Sequence, residues 1–145
     1  YYVADNFLLK VTEKIDTVTF VGASYKYINC RYSHDLGYIA ALTSNNGIAV
    51  FDIEGTYLKN FPGASELDKL SGSSLVVYSS DKDDGQKIIE SNLFIGFLNS
   101  DQKIMISNEK SEQRYNPSWS ALQNKIAFAN DEGQIKTVSF NFEKK

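Results

Sequence analysis

The sequence predicts an all-β fold, an antiparallel meander of short hairpins, and three observations carry that prediction. Nine Tyr, nine Phe and one Trp in 145 residues supply side chains suited to pleated, half-buried surfaces. Short β-branched and aromatic runs recur along the chain, punctuated by turns that end in Gly47, Gly55, Gly85 and Gly133. The clearest unit is residues 115–142. There Pro117, Trp119 and Ser120 lead into a polar turn, residues 125–129 make an apolar strand, Asp131-Glu132-Gly133 turns it, and residues 135–142 return with alternating burial.

Taken in order, Phe7-Leu8-Leu9-Lys10-Val11 and Thr17-Val18-Thr19-Phe20-Val21 read as a first hairpin; the β-branched second half decides against a helix. Residues 25–32 alternate aromatic and polar side chains, and Tyr38-Ile39-Ala40-Ala41-Leu42 follows as the next strand. Asn45-Asn46-Gly47 is a two-residue type I′ hairpin signal, because both central positions need positive φ. Residues 48–53 pair back, and Glu54-Gly55 turns into residues 57–61.

Pro62-Gly63 interrupts the pattern. Ser65 followed by Asp68 has the spacing of an N-terminal capping pair, with Gly72 where a stop would fall, which predicts at most one short helix near residues 65–71. Residues 75–79 and 87–94 then form a hairpin across Asp81-Lys82-Asp83-Asp84-Gly85, and residues 95–98 and 103–107 another.

The hairpins repeat weakly. Ser33 precedes Ile39-Ala40 by the same step as Ser120 precedes Ile126-Ala127, and Val76-Val77-Tyr78 with Gly85-Gln86 parallels Ile126-Ala127-Phe128 with Gly133-Gln134. Ile39, Val76, Ile104 and Ile126 mark equivalent points at uneven steps, giving about three units of the roughly 40 to 45 residues that a propeller blade takes. Pro117, Trp119, Ser120, Ile126, Ala127, Phe128, Asp131 and Gly133 resemble the TolB-type, WD-like β-propeller repeat, although Ala121-Leu122-Gln123-Asn124 replaces its Pro-Asp-Gly turn. The resemblance implies one β-propeller-like domain over residues 1–145. It also implies the roles usual in that family: non-catalytic scaffolds of the bacterial envelope, or propeller domains attached to separate catalytic domains. Three blade equivalents would leave sheet edges uncovered, so a protein partner or self-association through such an edge is expected.

A formal charge of −3, spread without basic blocks, argues against nucleic acid as a partner. No apolar run reaches the roughly 18 to 20 residues of a spanning helix. The chain starts Tyr1-Tyr2-Val3 without Met, which points to a removed export signal or upstream segment and so to an exported, periplasmic or cell-surface protein.

Chemistry is sparse. His34 is the single histidine, which rules out a multi-histidine metal site and places it in an exposed turn. Cys30, the single cysteine, has no adjacent base and reads as an inert thiol. The carboxylates at 81–85 lack calcium-loop spacing, with Gly fifth instead of sixth and Asn92 at the twelfth position, so a hairpin turn is expected there. No cofactor, no metal and no catalytic residue is expected. Trp119, Tyr115, Tyr32 and Tyr38 are the candidate binding surface, set against the commoner fate of aromatic rings, which is packing between sheets. The leading expectation is therefore a non-enzymatic protein-interaction or scaffold domain. The competing readings are a glycan or small-molecule binding module built on those rings, and an accessory fragment of a larger enzyme.

Overall fold

The computed structural model describes residues 2–4, 7–11, 15–19, 26–33, 37–44, 47–70, 72–106, 113–120 and 123–141. All regular elements among them are strands, and their contacts divide into two compact units, Tyr1–Ser65 and Glu66–Lys145.

In the first unit, β1 (Tyr2–Ala4), β2 (Phe7–Val11) and β3 (Ile15–Thr19) form one antiparallel sheet. β4 (Tyr27–Ser33), β5 (Tyr38–Thr43), β6 (Gly47–Phe51) and β7 (Tyr57–Phe61) form a second, in chain order. The uninterrupted apolar runs of β5 and β6 are buried on both faces. Ile39, Ala41, Ala49 and Phe51 pack on one face with Tyr27, whose ring meets Phe51 edge-on at 6.4 Å. The β5–β6 hairpin closes at Thr43↔Gly47, so three residues span the turn instead of two. Asn45 and Asn46 lie outside the described residues. Gly47 has φ +81°, and a Cβ there would sit 2.0 Å from the Phe61 carbonyl oxygen; glycine alone fits. At the next turn the Asp52 carboxylate accepts the Thr56 N–H at 2.7 Å.

β8 (Ala64–Lys69), all but its first two residues in the second unit, forms a sheet of order β11-β10-β9-β8 with β9 (Leu75–Asp83), β10 (Ile88–Phe97) and β11 (Ser100–Met105). β12 (Arg114–Trp119), β13 (Lys125–Asn130) and β14 (Ile135–Ser139) form another. Val77, Ile95, Trp119 and Ile126 are the second unit's shared core, with Val138 and Phe140 packed against them.

Two expectations need correction. Residues 64–69 form a strand, not a helix: the Asp68 carboxylate caps nothing and reaches across to β12, while Gly72, at φ +67°, serves the β8–β9 turn. The TolB-type propeller does not hold, because the strands fall into separate open sheets, none closed on itself. What recurs is the hairpin alone. Tyr32 pairs with Ile39 as Trp119 pairs with Ile126, so the Ile-Ala repeat records the apolar strand and Gly-bearing turn that any antiparallel meander needs. As expected, residues 117–120 lead into the turn before β13, and β12 is a strand through Pro117. A bulge between Tyr115 and Ser118 takes up the proline, whose missing N–H then breaks no ladder bond, and Asn116 adopts φ +51° within it.

Candidate functional site

The second unit presents two outermost strands with exposed apolar side chains, β11 and β14. The site at β14 is built from the β12 strand outward. Asp68, only 4% exposed, accepts the Trp119 N–H at 2.9 Å and the Ser118 hydroxyl at 3.2 Å, and Glu66 accepts the Asn116 N–H. A buried carboxylate held by several donors fixes β12 in place. Trp119 then packs on Phe140 at 5.8 Å between ring centres, which anchors the end of β14.

β13 and β14 pair without a bulge from Lys125↔Ser139 to Ala129↔Ile135. The turn is closed by Asn130, whose N–H donates to the Gln134 carbonyl at 3.0 Å, and at the far end the Phe140 N–H donates to the Asn124 carbonyl at 2.8 Å. Hydrogen-bonding direction alternates along an antiparallel strand. Even-numbered residues of β14 therefore turn their backbone groups to β13, and Ile135, Thr137 and Ser139 turn theirs outward, away from the sheet. Side chains alternate independently between the two faces. Lys136 lies opposite Phe128 and Val138 opposite Ile126, on the face of the core, while Ile135, on the other face, is 75% exposed.

On the core face, residues 136–138 border a groove of about 230 Å³. Leu93, Ile106, Phe128 and Val138 supply apolar walls, and Arg114 and Lys136 supply two cations; no carboxylate lines it among the described residues. The Arg114 guanidinium lies over the Phe128 ring at 5.5 Å, and its side chain is buried. The sequence reading missed this groove. Strand parity carries one signal for it, since Lys136 falls on the same face as Val138; nothing local marks Arg114.

Of the rings singled out from sequence, Tyr32 and Tyr38 belong to the first unit and Tyr115 and Trp119 to the second. Tyr38 is fully buried and Trp119 nearly so, with its indole N–H lacking a hydrogen-bond partner. These rings build cores. Tyr32 is exposed on β4. Tyr115 is half-buried, donates its hydroxyl to Gln113, and has its phenol pKa raised by burial first and by the Asp81 and Asp131 charges second. Cys30 is half-buried against the Tyr27 cluster, and burial pushes its thiol up from the ordinary value, away from nucleophilic chemistry. His34 lies outside the described residues. The acidic stretch is a hairpin turn: Asp83 accepts the Gly85 N–H at 2.9 Å, and Asp84 accepts those of Gln86 and Lys87 at 3.0 Å each. Among the described residues no group of three or more His, Cys, Asp or Glu could hold a metal ion, and no helix is long and apolar enough to cross a membrane. The chain matches no protein-family model, no curated protein and no solved structure.

Proposed function

We propose that this chain is a non-enzymatic protein-interaction domain that accepts an extended segment of a partner along the open edge of β14. The observation that carries this reading is the regular, unbulged β14 edge, with three residues offering backbone donors and acceptors outward beside the exposed Ile135. Strand addition draws affinity from such main-chain groups and specificity from alternate side chains.

Proline discriminates sharply here. At Thr137 the N–H points away from β13, so Thr137→Pro spares the hairpin ladder and blocks an incoming strand. The test is fluorescence anisotropy with a labelled, end-capped Val-Thr-Val-Gln-Val-Thr peptide. Saturable binding by the native chain that is lost in Thr137→Pro, with an unchanged far-ultraviolet circular dichroism spectrum, is the expected result. Binding of equal strength to both proteins would refute the reading.

A further inference from the structure

From the face of β14 that turns away from the groove we infer that the incoming segment carries an aromatic side chain, Phe, Tyr or Trp, opposite Ile135; this rests on the strand-addition reading and names the chemistry of the partner. Ile135 and Thr137 stand side by side on that face, both β-branched, and Ile135 is 75% exposed. Their neighbours across the hairpin are small. Ala129 pairs with Ile135 and Ala127 with Thr137, and both alanines are half-buried. β13 therefore offers Ile135 a single methyl group as cover, and most of the side chain stays bare on the side where a strand adds. An added antiparallel strand sets one residue directly opposite Ile135 as a hydrogen-bonded pair, with its Cα about 5.5 Å away. Thr137 is then the diagonal neighbour of that residue at about 7 to 8 Å, which an aromatic side chain reaches. A ring in that place covers Ile135 and lies against the Thr137 methyl as well, whereas Val or Ala covers Ile135 alone. Aromatic against β-branched is one of the cross-strand pairs that stabilise a sheet. Both β14 side chains are stiff at χ1, so covering them costs little rotamer freedom.

The same face argues against a second copy as the occupant. β14 reads Ile-Lys-Thr-Val-Ser and contains no ring. Antiparallel pairing of two copies about Thr137 sets Ser139 of each copy opposite Ile135 of the other, which puts a hydroxyl where the apolar surface needs cover. A partner strand with an aromatic residue removes that mismatch.

Three end-capped peptides test this: Val-Thr-Val-Gln-Val-Thr and its variants with Tyr or Ala in place of the second Val, titrated into the native chain and into Ile135→Ser and Ile135→Val. The expected order for the native chain is Tyr tighter than Ala by about fivefold, with Val between them. In Ile135→Ser the Tyr advantage falls below about twofold, while Ile135→Val, which keeps the β-branch, retains it. Equal affinity for all three peptides, with Thr137→Pro still abolishing binding, would overturn the aromatic preference and leave strand addition standing. A Tyr advantage that Ile135→Ser leaves intact would overturn Ile135 as the side chain the ring covers. No binding by any peptide would overturn both readings. Sedimentation showing a native dimer that Thr137→Pro splits into monomers would overturn the aromatic partner in favour of a second copy.

Discussion

β11 and β14 are both outermost strands in the second unit, and the strands that pair with them treat them differently. β11 meets β10 through a register break, with Gly96 paired to Lys103 and Phe97 to Ser100, so Asp101 and Gln102 bulge out of the ladder. Its Lys103 ammonium lies 5.0 Å over the Phe94 ring, which itself stacks on Tyr78. Bulges and edge lysines are the devices by which natural sheets refuse further strands. β14 lacks the bulge, and its lysine borders a groove instead of crossing an in-sheet ring. Exposed apolar side chains occur on both strands, Ile104 and Met105 on one and Ile135 on the other, so exposure alone does not separate them. Regularity of the ladder does.

The largest way to break this contrast is to remove what holds β14 in place. Trp119→Ala empties the centre of the core that Ile126, Val138 and Phe140 share, and should cost about 3 to 5 kcal/mol in urea unfolding, with β14 losing its order. Trp119→Phe should cost under about 2 kcal/mol, because it keeps a ring on Phe140 and removes a buried N–H that has no partner. Equal losses in the two variants would show that a phenyl ring recovers none of the packing on Phe140 and that the site requires the whole indole, its N–H included.

A smaller effect is expected on the guarded side. Lys103→Val removes the charge over Phe94, an interaction of about 0.5 to 1 kcal/mol at an exposed site, and leaves Val-Ile-Met across residues 103–105. Light scattering should then report concentration-dependent association that the native chain lacks. Unchanged scattering would mean that the bulge, without the lysine, is sufficient to guard β11.

The smallest effect separates the two hairpins by pH. Hydrogen bonds from Lys87 first and Gln86 second hold the Asp84 carboxyl below the ordinary aspartate value of 3.8. A depressed folded pKa contributes stability above 3.8 that is lost as pH falls below it through the folded value. The β13–β14 turn relies on an amide instead: Asn130 accepts the Gln134 N–H at 2.8 Å. Acid should therefore loosen residues 84–88 before residues 130–135, and Asp84→Asn should flatten the urea midpoint between pH 5 and pH 3. A native acid limb that persists in the variant would assign it to other carboxylates.

The hairpins were legible because their causes are local. Glu54-Gly55 and Asp131-Glu132-Gly133 announce turns, and the structure puts Gly55 at φ +93° and Gly133 at φ +76°. Where the reading failed, the deciding partner lay far along the chain. Ser65 and Asp68 have capping spacing, but Asp68 accepts from Trp119, fifty-one residues away, and the segment joins the sheet beside β9. Pro117 was placed ahead of the turn, and only the β13 register shows the bulge that accommodates it within β12. Residues 135–142 were expected to alternate in burial; along β14 only Val138 is half-buried and the other four are exposed, because β14 is outermost in its sheet among the described residues. The aromatic surface could not be told from aromatic core by residue type, and Tyr38 and Trp119 went to the core. The groove needed Arg114, Phe128 and Lys136 brought together from three strands.

Amide hydrogen exchange along β14, with and without the Val-Thr-Val-Gln-Val-Thr peptide, tests the open edge most directly. In the free chain the amides of Lys136, Val138 and Phe140 should exchange slowly and those of Ile135, Thr137 and Ser139 fast, and the fast set should become protected when the peptide binds. Slow exchange of the odd-numbered amides in the free chain, or fast exchange that saturating peptide leaves unchanged, would contradict an edge that is open and receives a strand.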